Sequence, residues 1–264
     1  MMFAAVAAVA IVAPGVAAAK FAPAEGATYT YSVTDMREAG VFFSERRVVF
    51  RRAAQGWTAD LTIVSTRIAV VLEAGPMAQR MIAALRGRPI RFALNDQGSV
   101  VSVEDQDALI KLIVDAVTAA PADNPSAART ATADRMARAL AALGPDAQRT
   151  QLASLLAPMV GGALSEAQPG DRAIAMPAGS AMGQAPAAEL TGTEKVARTP
   201  TRILIDTTAE GPAPTPDARI SIVQHREIDA ATGIVLINTR RTETWLTASP
   251  DRKQVVSVLA RVES

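Results

Sequence analysis

The sequence predicts an α+β fold: an antiparallel β-sheet meander, which can be strongly curved or barrel-like, in two blocks that flank a three-helix insert. Three observations carry this expectation. Apolar and polar residues alternate at period two near both ends of the chain, apolar residues recur at helical spacing in the middle, and the links between runs are short and rich in Gly, Asn, Asp and Pro. Strands segregated from helices and joined by tight turns suit antiparallel pairing, not a doubly wound parallel sheet.

The first block covers residues 20–103. Tyr29, Tyr31 and Val33 share one face while Thr28, Thr30, Ser32 and Thr34 take the other, the pattern of a half-buried strand. A turn around Arg37-Glu38-Ala39-Gly40 leads into a second strand, Val41 to Arg52. Gln55-Gly56 then turns into a third, where Trp57, Ala59, Leu61 and Ile63 oppose Thr58, Asp60 and Thr62. Gly75-Pro76 opens a short helix with Met77, Met81 and Leu85 at four-residue spacing, and Gly87 ends it. Ile90, Phe92 and Leu94 alternate next, and Asn95-Asp96-Gln97-Gly98 is hairpin chemistry leading to Val100, Val101 and Val103.

Residues 104–160 form the helical insert. Ser102 and Asp105 make a Ser-x-x-Asp cap, after which Leu109, Leu112, Ile113, Ala116 and Val117 follow one helical face. A loop from Pro121 to Pro125 hands over to Ser126 as the cap of a second helix with Met136, Leu140 and Leu143. Gly144-Pro145 stops it and starts a third with Leu152, Leu155, Leu156 and Met159. Residues 161–188 are loop-rich around a short strand at Ala173 to Met176. The second β-rich block, residues 189–264, holds strands at Glu189 to Ala197, Thr201 to Thr208, Ala218 to Ile228, Gly233 to Leu246 and Gln254 to Val262. Gly211 to Pro216 is a surface loop, and Asp229 to Gly233 and Ser249 to Asp251 are tight turns.

Residues 1–19 have the character of a secretory signal peptide: an apolar run through Phe3, Val6, Val9, Ile11 and Val12, a Pro14-Gly15 break and a small-residue cleavage site at Ala17-Ala18-Ala19. The expected address is periplasmic or secreted, with Lys20 or Phe21 beginning a mature, soluble chain. The Met1-Met2 n-region carries no Lys or Arg, which points to a start upstream. The apolar run is shorter than the ~20 residues that cross a bilayer as a helix. Cysteine is absent, so neither a disulfide nor a lipid-modified Cys supports the exported chain, and about 245 mature residues must hold together through a core. With 27 basic and 26 acidic residues the net charge is +1, which supplies no field for nucleic acid.

The chemistry-bearing residues are few, and no cofactor is implied. The single histidine, His225, shares a strand face with Ser221, Val223 and Glu227 opposite Ile220, Ile222 and Ile228, so an exposed or half-exposed strand residue outweighs a catalytic base. One His and no Cys cannot assemble the usual zinc ligand sets, and Gly179-Ser180-Ala181-Met182-Gly183 lacks the spacing of a nucleophile elbow. Glu104, Asp105 and Asp107 suit a helix start better than a cation site. Gly161-Gly162 lacks the lysine and spacing of a phosphate loop. Catalytic and metal-ligating residues are therefore expected to be none, although a pair of carboxylates meeting in space would support hydrolysis.

Two candidate binding sets remain. Gly40 is followed by Val41-Phe42-Phe43 and then Arg46-Arg47, and Gly233 by Ile234 to Ile237 and then Arg240-Arg241. Arg46, Arg47, Arg240 and Arg241 would form an anion site if these two strands were neighbours; the competing reading is a solvated strand face with apolar stems on the sheet. Met77, Met81, Met136 and Met159, together with Trp57, would suit an acyl-chain site, against ordinary core packing. In outline the arrangement resembles the periplasmic lipoprotein carriers, and that resemblance implies a curved antiparallel sheet lined by helices that holds acyl chains. The function expected is an exported, non-catalytic binding or envelope-associated protein with lipid or an envelope protein as partner. A carrier of lipophilic ligand in a sheet-helix cavity and a carboxylate hydrolase are the alternatives. A partner-binding module would expose an apolar patch around Leu140, Leu152 and Met159.

Overall fold

The structure is a computed structural model that describes residues 21–37, 40–69, 75–119, 127–161, 168–177, 189–213, 215 and 217–263. The segment read as a signal peptide and the cap at Ser126 lie outside them. In chain order the elements are β1 (Thr28–Arg37), β2 (Gly40–Arg52), β3 (Trp57–Ile68), α1 (Gly75–Leu85), β4 (Pro89–Leu94) and β5 (Val100–Val103). There follow α2 (Gln106–Thr118), α3 (Ala127–Ala141), α4 (Pro145–Ala153) and a 3-10 turn at Ala157–Met159. The chain then returns to strands: β6 (Gly170–Pro177), β7 (Glu189–Arg198), β8 (Arg202–Pro212), β9 (Ala218–Asp229), β10 (Val235–Leu246) and β11 (Ser249–Glu263).

All eleven strands join one antiparallel sheet in the order β5-β4-β3-β2-β1-β11-β10-β9-β8-β7-β6. In each β-rich block strands that follow one another in the chain are antiparallel neighbours, with α1 inserted between β3 and β4, and the two blocks meet where β1 pairs with β11, with Tyr31 opposite Val262 and Val33 opposite Ala260. The sheet is open, with β5 and β6 as its edges. The chain between β5 and β6 must therefore pass from one edge to the other, and α2, α3, α4 and the 3-10 turn lie along that passage. Four short helices thus accompany a mostly antiparallel sheet.

The helices define one face of the sheet. Tyr31, Val33, Val48, Phe50, Trp57, Ala59, Leu61, Ile63, Ile90, Phe92 and Leu94 are buried there with Leu85, Ile110, Ile113, Val117, Leu140, Leu152 and Leu156 from the helical segments. On β1, β3 and β4 these residues follow the period-two faces expected from the sequence. At Glu45/Arg46 the register with β3 slips by one residue, so Ile63 opposite Arg46 still faces the core. Two close backbone approaches depend on absent side chains. Gly56 has φ +77°, and a Cβ there would lie 2.0 Å from the Leu94 carbonyl oxygen. At Gly192, on β7, a Cβ would lie 1.9 Å from the Thr208 carbonyl oxygen of β8, so only glycine permits that pairing.

The start of the described chain is part of the core. Phe21 is 2% exposed and packs edge-on against Phe50 at 5.4 Å and Trp57 at 6.1 Å between ring centroids. Trp57 Nε1 donates to the Phe21 carbonyl at 3.1 Å, and the Ala22 amide donates to Thr232 in the β9–β10 turn at 2.9 Å. Tyr31 completes the closure. Its buried hydroxyl lies 3.2 Å from the Met159 carbonyl and 3.1 Å from that of Val235, so one side chain ties β1 to the 3-10 turn and to β10. Burial, with a smaller contribution from Tyr29, pushes its hydroxyl well above the usual tyrosine pKa, which keeps it a donor. Tyr31→Phe leaves buried carbonyls short of a donor and is expected to cost about 1–3 kcal/mol. Urea denaturation checks this; a loss below about 0.5 kcal/mol would show that the hydroxyl contributes little.

The structure corrects several expectations. Ser102 does not cap a helix: it pairs with Ala93 within the sheet, and Asp105, at φ 52° and without a side-chain cap bond, precedes α2. Sheet pairing claimed the serine before the helix began. The third helix ends at Ala153, and Leu155, Leu156 and Met159 follow in turns. β6 begins at Gly170 and β8 runs on to Pro212, because each has a neighbouring strand to pair with beyond the predicted limits. The partner-binding patch is absent as a surface. Leu140, Leu152 and Met159 are each 1% exposed or less and belong to the core.

Candidate functional site

The apolar cover of the helical face is interrupted. On β6 to β10 its buried residues form two separate clusters, one of Val196, Ile203, Ile205, Ile228 and Val235 and the other of Leu190, Ala209, Ile220 and Ile222. Register places a polar row between them. Arg172 on β6 pairs with Glu194 on β7, Glu194 with Thr207 on β8, Thr207 with Gln224 on β9, and Gln224 with Arg240 on β10. Arg226, two residues along β9 from Gln224, and Asn238, its partner on β10, complete the band.

Glu194 is the carboxylate at its centre and is 4% exposed. Arg172 Nε donates to its Oε1 at 2.9 Å, the Arg172 Nη2 also bonds it, and Thr207 Oγ1 donates to Oε2 at 3.3 Å. Arg226 Nη2 lies 3.4 Å from both Glu194 Oε2 and Thr207 Oγ1, while its buried Nε has no hydrogen-bond partner among the described residues. Burial first, and then the charges of Arg240 and Arg172, push the Arg226 pKa down, with Glu194 acting in the opposite sense. Burial likewise lowers Arg240. Among the described residues Arg240 has no carboxylate within ion-pair distance. Two guanidiniums, of Arg172 and Arg226, therefore meet one carboxylate, and a third, of Arg240, shares the partly dehydrated band, an arrangement with capacity for a further anion.

A further cation, the most buried of these arginines, lies toward the other block. Arg46 is 6% exposed, donates from Nη1 to the Leu155 carbonyl at 2.6 Å and from Nε to Ser44 Oγ at 3.2 Å. Burial lowers its pKa to about 10, against the favourable charge of Asp35, so it remains cationic at neutral pH. Its bond to Leu155 joins β2 to the turn after α4.

The four arginines of the predicted anion site do not come together. β1 and β11 lie between β2 and β10, so the strands that carry the two Arg pairs are not neighbours. Period two also divides each pair: Arg46 and Arg240 face the helices, whereas Arg47 and Arg241 are on the opposite face, where they lie near Glu45 and Glu243. Of the predicted acyl-chain set, Trp57 and Met159 are buried in the main core and Met81 and Met136 pack against it. Met77 lies in α1, and its side chain falls outside the described residues. His225 is half-exposed on the outer face, with Nδ1 2.7 Å from Asp206 and Nε2 3.6 Å from Glu227.

The residues that sequence reasoning missed are Arg226 and Glu194. Their signal was parity. Arg226 shares its strand face with Ile220, Ile222 and Ile228, and Glu194 shares its own with Leu190 and Val196, so each puts a charge on an apolar face. Among the described residues no group of three or more His, Asp and Glu side chains could hold a metal ion. No helix among them is long and apolar enough to cross a membrane. Compared with known proteins, the chain matches no protein-family model and no curated protein sequence.

Proposed function

We propose that the protein is an exported, non-catalytic binding protein that carries a lipophilic ligand on the helical face of its sheet. The observation that supports this reading is the make-up of that face. Arg46 is buried and Arg226 and Arg240 are partly buried among apolar clusters, with fewer carboxylates than their charge requires. Replacing such buried charges with apolar residues of similar volume commonly raises stability, so a sheet-helix core that served stability alone would do better without them. A site that must take up an amphiphilic molecule has a use for both components, apolar surface for a chain and fixed charge for its polar end. The outline resemblance to the periplasmic lipoprotein carriers agrees with it. Against hydrolysis at the band, the carboxylates of Asp35 and Glu194 sit on strands with four others between them in the sheet, and among the described residues the register sets no second carboxylate beside Glu194.

Native mass spectrometry of protein expressed with its leader and purified from a bacterial periplasm tests export and cargo together. The expected species begins at Lys20 or Phe21 and carries additional mass that organic extraction removes as lipid. A chain that keeps residues 1–19 would overturn export. A correctly processed chain with no bound mass, and none acquired on incubation with lipid vesicles, would overturn the carrier.

A further inference from the structure

Arg226 and Arg240 occupy one small patch. The register sets Arg226 beside Asn238 and Gln224 beside Arg240, a two-by-two arrangement on the helical face in which the arginines lie on one diagonal. Diagonal neighbours on adjacent strands have Cβ atoms about 7 Å apart, within reach of two long side chains that converge on one group. Gln224 Nε2 donates to Asn238 Oδ1 at 2.8 Å, which fixes both amides and leaves the Asn238 nitrogen free to donate. The balancing charge is uneven. The Arg226 side chain is 15% exposed, and Glu194, its ion-pair partner at 3.4 Å, is shared with Arg172 at the sheet edge. The buried Nε of Arg226 has no hydrogen-bond partner among the described residues.

A buried donor without an acceptor and two like charges in proximity are both unfavourable as they stand, and one oxyanion between the arginines would relieve both. We infer that Arg226, Arg240 and Asn238 form a binding site for one anionic group, a carboxylate or phosphate, placed between the two apolar clusters of β6 to β10. Resting on the carrier reading, the site assigns the ligand's class: a singly anchored acidic amphiphile whose chain lies along Ile220 and Ile222 on one side or Ile205 and Ile228 on the other.

The test is calorimetric titration of the intact protein with decanoate, decyl phosphate, decanol and inorganic phosphate. The wild-type protein is expected to bind decyl phosphate or decanoate at least tenfold more tightly than decanol, with affinity falling as salt rises. Arg226→Gln and Arg240→Gln should each bring the charged ligands to the level of decanol. Inorganic phosphate binding as tightly as decyl phosphate would uphold the anion site and overturn its amphiphile cargo. Decanol binding as tightly as the charged ligands would overturn the anion site and leave the carrier reading standing. No binding of any of the four would overturn both. A second readout separates a ligand site from a structural role. Arg240→Met removes one of two repelling buried charges and should raise Tm by about 2–4 °C while abolishing the preference for charged ligand. A fall in Tm of that size would mean that Arg240 serves the fold.

Discussion

Glu194→Gln is expected to destabilise the protein by about 3–5 kcal/mol, the loss typical when one partner of a buried ion pair is removed. Glu194 is nearly inaccessible and accepts from Arg172 and Thr207 with Arg226 close by. Glutamine keeps the shape but withdraws the charge, leaving the Arg226 guanidinium at the centre of the band without a counter-ion. Urea denaturation followed by far-UV circular dichroism measures the loss. Combining Glu194→Gln with Arg226→Met should recover part of it, because the uncompensated cation goes too, and the double-mutant cycle gives their coupling. A loss under about 1 kcal/mol for Glu194→Gln would mean that solvent or another anion already balances Arg226.

Phe21→Ala should have an effect of similar size, about 3–5 kcal/mol, for a different reason. Phe21 is 2% exposed, and Gly98 approaches so closely that a Cβ there would come within 2.8 Å of the Phe21 ring. Removing the ring leaves a cavity bounded by Phe50, Trp57 and the Asn95–Gly98 turn, and these rigid neighbours cannot collapse into it. Tm should fall by roughly 6–20 °C, from about 2–4 °C per kcal/mol for a chain of this size. A thermal scan showing a fall below about 3 °C would indicate that the N-terminal segment is dispensable to the core. If the leader is cleaved after Ala19, the second residue of the mature protein is a core residue, so cleavage two residues later would damage the fold.

Much of this fold was legible residue by residue. The faces of β1 and β3 and the helix carrying Met81 follow from period-two and near-four spacing, because each pattern depends only on neighbours along the chain. Ser102 shows the limit: a serine before an acidic residue reads as a helix cap, yet the strand opposite took its backbone first. The same limit explains the lengths of β6 and β8. Strand ends are set by how far a partner extends, and the partner is not local in sequence.

The candidate site divides in the same way. Parity alone places Arg226 and Glu194 on apolar faces, and it separates Arg46 from Arg47 and Arg240 from Arg241. What parity cannot say is which strands adjoin. The repeated Arg pairs suggested a common site between β2 and β10, whereas pairing of the first and last strands puts β1 and β11 between them.

The sequence by itself determined the α+β class, the inward residues of β1, β3, β4 and β9, and a chain that must be held by packing since it has no cysteine. Only the tertiary structure decided that both β-rich blocks form one sheet and that Arg172, Glu194, Arg226 and Arg240 lie in one band. The physical reason is that strand neighbours are chosen by hydrogen-bond registers between residues up to 233 positions apart, as between Thr30 and Glu263, for which a single chain carries no local signal.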